Sequence, residues 1–380
     1  MLHAEQVSVG NQLLEYIDTN STALSAEIYR QPVSEYVCET QQKMEIERLF
    51  RDGPLCVGMS GNLPANNTYF TDELSGVPLL LTRDTDSKVH AFLNVCRHRG
   101  AKVASGCDQA RSFTCPYHAW AYGLDGKLLA RPAEEAFAGV DRESNGLVPV
   151  PVVEKNGLLW VNPNPTGNLD VDDHLSGLSD ELGEFHLENY HLYDSVVLRR
   201  RMNWKLIVDT FLESYHFCVL HKNTICSIFY ENLQTFDTFG RNFRLVSPRR
   251  TITELREIAP EQWSLFPHIV GIYVLFPNTV YVWQLDHVEL WHIYPDGDDP
   301  NYGAMKLSLY TPEPATTESA KAHWDKNLEL VVKVVEEEDF PVGEDIQRGF
   351  HSGAQDFITF GTNEPGLAHF HQGVSAASSD

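Results

Sequence analysis

Four residues on two short segments constrain this chain more than any others. Cys96 and His98 lie in Cys96-Arg97-His98-Arg99-Gly100, and Cys115 and His118 lie in Cys115-Pro116-Tyr117-His118, with sixteen residues (99–114) between the first histidine and the second cysteine. Each segment offers a metal one soft thiolate and one imidazole. A [2Fe-2S] cluster held by two cysteines on one iron and two histidines on the other needs that inventory. A mononuclear zinc site could use the same four residues. Spacing and flanking residues favour the cluster.

The surroundings read as short strands. Pro78-Leu79-Leu80-Leu81-Thr82, the polar turn Asp84-Thr85-Asp86-Ser87 and Val89 to Val95 form a hairpin signal that delivers Cys96 at a strand end. Ser112-Phe113-Thr114 and Ala119-Trp120-Ala121-Tyr122 flank the second pair, and Leu124-Asp125-Gly126-Lys127 is a tight turn. Gly157 to Pro163 closes this β region. The spacing predicts a helix from about Pro32 to Arg51, with Pro32 in its first turn and Val33, Tyr36, Val37, Ile46, Leu49 and Phe50 on its buried stripe.

Beyond Asn168 the character changes. A helical start near 174–186 leads to a strand at 195–201, a helix at 204–220, and strands at 242–246, 269–276, 279–285, 288–294 and 304–310. A long helix from Glu318 to Glu338 is expected to stop before Pro341. This pattern predicts an α+β architecture: a small all-β cluster-binding domain plus a larger domain whose antiparallel sheet grips a long C-terminal helix, with a cavity between them. The expected boundaries are 1–44 for an N-terminal helical segment packing on the larger domain, 45–165 for the β domain and 166–380 for the larger domain.

The formal net charge of -24 excludes nucleic acid as a partner class and suits an acidic face for a basic redox partner. No apolar run reaches membrane-spanning length and the start has no signal-peptide pattern, so the expected compartment is the cytoplasm. Seven cysteines show no disulfide-scaffold pattern, and the five outside the metal motif are expected to be ordinary thiols. Residues 376–380 read as a solvated tail.

A second constellation lies in Asn203 to His221. Asp209, Glu213 and His216 stand at i, i+4 and i+7, on one face of a predicted helix. His221 follows five residues later, about 140° further round. For both imidazoles to meet one metal, the helix must distort or end between them. Two histidines and a carboxylate form the facial triad of non-haem Fe(II) oxygenases. The third ligand must come from elsewhere, and within Glu336 to Gln347 both Asp339 and Asp345 qualify on chemistry. One constellation stores an electron and the other can activate oxygen, which argues against reading either as incidental.

Taken together, these motifs resemble the α subunit of the Rieske non-haem iron ring-hydroxylating oxygenases, over nearly the whole chain. Cys96-Arg97-His98-Arg99-Gly100 and Cys115-Pro116-Tyr117-His118-Ala119-Trp120 match the cluster motif, with Ala119 where glycine is commoner. Asn203-Trp204-Lys205 and Glu213-x2-His216-x4-His221 match the catalytic-iron motif, and the segment from Glu338 to Ser352 matches the pattern around the third ligand, which favours Asp339.

The resemblance implies a Rieske [2Fe-2S] cluster on Cys96, His98, Cys115 and His118, and a mononuclear Fe(II) on His216, His221 and Asp339. It implies that Glu213 bridges His118 of one subunit to His216 of its neighbour, within a homotrimer. Glutamate at that position recurs in members acting on quaternary amines. Asp209 is expected to orient His216 or the bridge. Such an enzyme takes O2 and external electrons to hydroxylate or oxidatively demethylate a small substrate, either an aromatic ring compound or a quaternary amine. No G-x-G-x-x-G fingerprint is present, so a separate flavin-dependent reductase, with or without a ferredoxin, is the expected electron source. The competing readings are an electron carrier or redox sensor with a ligand-binding domain, and a zinc-binding interaction module. Strand aromatics from Tyr230 to Trp291 are candidates for core or pocket.

Overall fold

The computed structural model describes residues 1–379, which divide into two compact units. Residues Glu47–Val171 and His186–His191 form one. Met1–Ile46, Asp172–Phe185 and Leu192 onward form the other.

The first unit is built of small antiparallel sheets. The expected hairpin is present, with Leu79–Arg83 paired to Val89–Leu93 and extended by Thr68–Asp72 and Cys107–Gln109. Phe113–Thr114, Ala121–Tyr122 and Leu128–Ala130 make a second sheet, and Leu158–Val161 is the middle strand of a third. Its core contains Leu80, Phe92, Phe113, Trp120 and Tyr122 together with Cys96 and Cys115. Both thiols are thus placed by packing as well as by the loops that carry them.

The second unit holds a seven-stranded sheet. Its order is His191–Arg200, Gly303–Thr311, Val288–Pro295, Thr279–Trp283, Ile269–Leu275, Asn242–Pro248 and Thr235–Phe239, antiparallel from Gly303–Thr311 onward. The strands Asn242–Pro248 and Val288–Pro295 are buried at every residue, so both faces of the sheet are covered there. That burial includes charge. Arg244 places its guanidinium against Glu181, Glu5 and Asp237 at 2.7–2.8 Å, satisfying a cation that could not be left alone inside. The helix His3–Thr19 packs Val9, Leu13 and Leu14 on Val246, Ile252, Trp263 and Ile269.

Several expectations need correction. The segment 32–51 is not one helix: Pro32 ends a strand, Tyr29–Pro32, paired with Phe357–Phe360. Two short helices, Ser34–Val37 and Glu39–Glu45, then meet at an extended Cys38, and a π-helix covers Ile46–Arg51. The helix expected over 204–220 is two pieces, Trp204–Asp209 and Phe217–Leu220; His216 ends the break as the cap of the second piece, and that piece stops at Leu220, so the helix ends between the two histidines. The cause of the break is local: the Glu213 carboxylate accepts the backbone N–H groups of Tyr215 and His216, and Ser214 Oγ accepts from Leu233 N at 3.2 Å. These bonds divert the backbone from helical pairing.

The long helix does not stop before Pro341. Glu318–Val334 is capped by Thr317, whose Oγ1 accepts Ala320 N at 3.1 Å. It passes into a π-helix at Val335–Asp339 and then continues as Phe340–Phe350. Proline lacks an N–H and crowds the carbonyl four residues back. The widened turn just before Pro341 accommodates both defects. Residues 376–379 belong to a helix, Pro365–Ser379, not to a solvated tail; Asp380 lies outside the described residues. Two of the expected free thiols, Cys218 and Cys226, form a disulfide.

Candidate functional site

The two cysteine and histidine loops share one backbone design. Cys96 N donates to Ala101 O and Gly100 N returns to Cys96 O; Cys115 N donates to Trp120 O and Ala119 N returns to Cys115 O, all at 2.8–3.0 Å. The fourth residue after each cysteine is left-handed, Gly100 at φ 81° and Ala119 at φ 56°. Each loop therefore turns back on its own cysteine and presents its histidine beside the thiol. The His98 and His118 rings meet edge to face with centroids 4.5 Å apart, and His98 stacks on Trp120 at 5.1 Å. Tyr122, fully buried, reaches Cys96 Sγ at 3.3 Å and accepts from Arg97 N at 3.0 Å.

This donor set fits a [2Fe-2S] group. Cys96 and Cys115 are buried free thiols. Nδ1 of His98 and Nδ1 of His118 are buried without a hydrogen-bond partner among the described residues. Orphaned nitrogens of this kind call for a partner. Among the described residues, the four donors do not form a cluster within 4.8 Å of one another, as one zinc ion would ask. A two-iron group suits that wider set.

A tighter group exists in the other unit. The ligand atoms of His216, His221 and Asp339 lie within 4.8 Å of one another, with His221 Nε2 to Asp339 Oδ1 at 3.2 Å and His216 Nε2 to Asp339 Oδ1 at 3.7 Å. Each ring is held from behind by a carboxylate: His216 Nδ1 by Glu213 and His221 Nδ1 by Glu338, the latter at 2.5 Å. Thr224 Oγ1 donates to the same Glu338 oxygen at 2.8 Å. Carboxylates behind imidazoles fix the tautomer that leaves Nε2 an electron-pair donor. Burial pushes the His221 pKa down, but Asp339 and Glu338 outweigh it and the net direction is up. Two histidines and a carboxylate with room for other ligands fit a mononuclear iron.

The triad lines a cavity of about 310 Å³. Its wall comes from sheet residues such as Val270, Ile272 and Val282, and from helix residues such as Leu330, Val331 and Val334. That volume is at the lower end of small-molecule sites.

Asp345 is exposed and paired with Arg348, away from the triad, whereas Asp339 joins it. Asp209 makes its hydrogen bonds elsewhere than expected: Tyr36 Oη at 2.8 Å and His371 Nε2 at 2.9 Å, in a buried cluster, not to His216 or Glu213. None of the strand aromatics named from the sequence lines the cavity. Phe211, Phe217 and Phe229 do so instead. Glu338, Thr224 and Arg249 were missed. In the sequence Glu338 stands only as part of the motif around the third ligand, in an acidic run beside Asp339, with no role of its own.

The catalytic portion, residues 187–379, matches the family model described as ring hydroxylating alpha subunit (catalytic domain), and residues 53–151 match the Rieske [2Fe-2S] domain. The carnitine monooxygenase oxygenase subunit of Escherichia coli (strain K12) is 36% identical over 200 residues, covering 52% of this chain and 53% of that protein. The chloroplastic choline monooxygenase of Beta vulgaris is 28% identical over 341 residues, 86% of this chain and 72% of that protein. The chain thus aligns with about half the length of the first of these relatives. Among solved structures, a quaternary ammonium Rieske monooxygenase in complex with L-carnitine superposes with a TM-score of 0.80 at 24% identity, covering 93% of this chain and 96% of that one. Naphthalene 1,2-dioxygenase from Rhodococcus sp. gives a TM-score of 0.73 at 17% identity, with 98% and 97% covered. The catalytic match alone takes in 193 (187–379) of 380 residues, and on that basis the chain belongs to the ring-hydroxylating oxygenase α subunit family.

Proposed function

We propose that this chain is a terminal oxygenase component that uses O2 and electrons from an external reductase to hydroxylate or oxidatively demethylate a small quaternary ammonium substrate. The observation that carries the reading is the position of His216, His221 and Asp339 on the wall of a largely apolar cavity. An electron carrier has no use for such a site opening onto a substrate-sized space.

When bound, the [2Fe-2S] group supplies single electrons and the mononuclear iron supplies O2 activation. The chain's own residues do the rest. Cys96, Cys115, His98 and His118 hold the first group, and His216, His221 and Asp339 hold the second. Glu213 and Glu338 accept the Nδ1–H groups of His216 and His221 and keep both rings aimed. The largely apolar lining favours the apolar parts of a substrate over water. Phe211, Phe217 and Phe229 bring aromatic rings to the same wall, a surface chemistry that attracts a methylated ammonium group.

Relatives named for carnitine, glycine betaine and choline support this substrate class. Glu213 is the residue assigned to connect His216 with His118 of a neighbouring subunit, which requires head-to-tail assembly, and a homotrimer closes that arrangement. Asp209 acts on this reading by fixing Tyr36 and His371 behind the same segment.

The test is turnover by the purified holoenzyme with a surrogate reductase, under air, on quaternary amines and aromatic acids. The expected result is about three irons per chain and a quaternary amine product that has gained oxygen or lost a methyl group. About two irons per chain in anaerobically prepared protein, with no substrate oxidised, would count against it.

A further inference from the structure

The charges around the cavity do not balance locally. Asp286 is engaged by His287 Nδ1 at 2.9 Å and His323 Nε2 at 3.0 Å. Glu289 is engaged by Trp291 Nε1 at 3.1 Å and His287 Nε2 at 3.4 Å. Glu213 and Asp339 serve the metal-binding histidines. Arg249 is the exception: among the described residues, no carboxylate lies within ion-pair distance of it.

Its guanidinium is nonetheless carefully held. Nε donates to Ile269 O at 3.2 Å, Nη2 donates to Gln284 Oε1 at 3.0 Å, and the group lies 4.8 Å from the centre of the Phe229 ring. Gln284 is itself fixed, because its Nε2 reaches Glu289 Oε1 at 3.4 Å. These contacts aim the fork without neutralising it. Nη1 has no hydrogen-bond partner among the described residues and keeps some solvent exposure. Burial pushes the Arg249 pKa down against the opposing pull of Asp286. A guanidinium stays charged in a protein even so.

We propose that Arg249 is the carboxylate-binding residue of the cavity, so that the substrate carries an anionic carboxylate in addition to the group presented to the iron. A planar guanidinium with one side committed to neutral acceptors and another open matches a carboxylate, which can accept two parallel N–H bonds. Combined with the quaternary ammonium reading, on which the full identity of the substrate rests, this selects a zwitterionic betaine over a simple cationic alcohol. The apolar cavity then accommodates the chain between the two charges.

The experiment is calorimetric titration of the iron-loaded, oxidised holoenzyme under argon, so that no turnover intervenes. The probes are two matched pairs: 4-(trimethylammonio)butanoate with its methyl ester, and 3-phenylpropanoate with its methyl ester. Wild-type protein is expected to bind the acid of the first pair about 10- to 100-fold more tightly than the ester, the range of a charged hydrogen bond. Arg249→Gln should remove that preference, acid affinity falling far more than ester affinity, and Arg249→Lys, a milder change, should keep a weaker preference than wild type.

An acid-to-ester ratio near one in wild type overturns the proposal, and so does a wild-type ratio in either variant. Equal loss for acid and ester marks a merely structural arginine and also overturns it. If only the phenylpropanoate pair binds and its ratio depends on Arg249, the carboxylate site stands and the quaternary ammonium reading falls.

Discussion

Glu338 holds Nδ1 of His221 at 2.5 Å, and in doing so makes neighbours in sequence into partners on one ring, since Asp339 approaches Nε2 of the same histidine at 3.2 Å. The second carboxylate is therefore as much a part of the iron site as the first. Glu338→Ala is expected to weaken iron binding about 10- to 100-fold while sparing the cluster. Dialysis against a graded chelator, with iron counted and the cluster's visible absorbance followed in the same sample, checks this. Equal retention of mononuclear iron in variant and wild type would refute it.

Glu213 occupies the corresponding place behind His216, and on the proposed reading it also carries the connection to a neighbouring subunit. Glu213→Gln keeps an acceptor for the ring N–H and should retain both metals. Product formation is expected to fall about 100-fold, in line with losses on mutating residues behind metal ligands. Rapid mixing of pre-reduced protein with oxygenated substrate isolates the step: cluster reoxidation should slow in parallel with product. Normal reoxidation would remove the bridge.

Ala119 sits in the left-handed region, where its counterpart in the other ligand loop is Gly100. A Cβ is disfavoured there. Ala119→Gly is expected to stabilise the first unit by about 0.5–1 kcal/mol at unchanged metal content. Thermal loss of cluster absorbance reports it, and a lower midpoint would contradict the argument.

Lys205 and Glu45 are both fully buried, with Nζ to Oε1 at 2.6 Å, and Trp204 Nε1 adds a bond to the same carboxylate at 2.8 Å. Lys205→Met strands Glu45 and should cost about 3–5 kcal/mol. The pair Glu45→Gln with Lys205→Met should recover most of it, because no uncompensated charge remains. Denaturant melts of the two variants decide; equal destabilisation would show that packing, not charge, is at stake.

What was readable in the sequence was local. The Cys96 and Cys115 loops could be found because ligand spacing and flanking strands lie within a few tens of residues. His216 and His221 stood out for the same reason. Asp339 needed the resemblance, since Asp345 has equal chemistry and only the helix geometry separates them. The broken helix at 210–216 was not legible because a side chain, Glu213, takes the backbone donors that periodicity assigns to the helix. Asp209 looked like a member of the catalytic face, but its partners Tyr36 and His371 come from opposite ends of the chain. The helix Pro365–Ser379 does carry Leu367, Phe370 and Val374 on a buried stripe, but the small and polar residues from 376 onward resembled a tail.

The π-helix at Val335–Asp339 makes the third ligand a question of phase. A helix that is α on both sides and π in between has a longer path through that turn than its axial advance requires. Each α residue adds about 100° of rotation, so deleting Glu336 or Glu337 from this turn would swing Asp339 away from the histidines while leaving the side chains of the site chemically intact. Chain length across five residues, as much as the identity of the ligands, decides whether this protein can hold its iron.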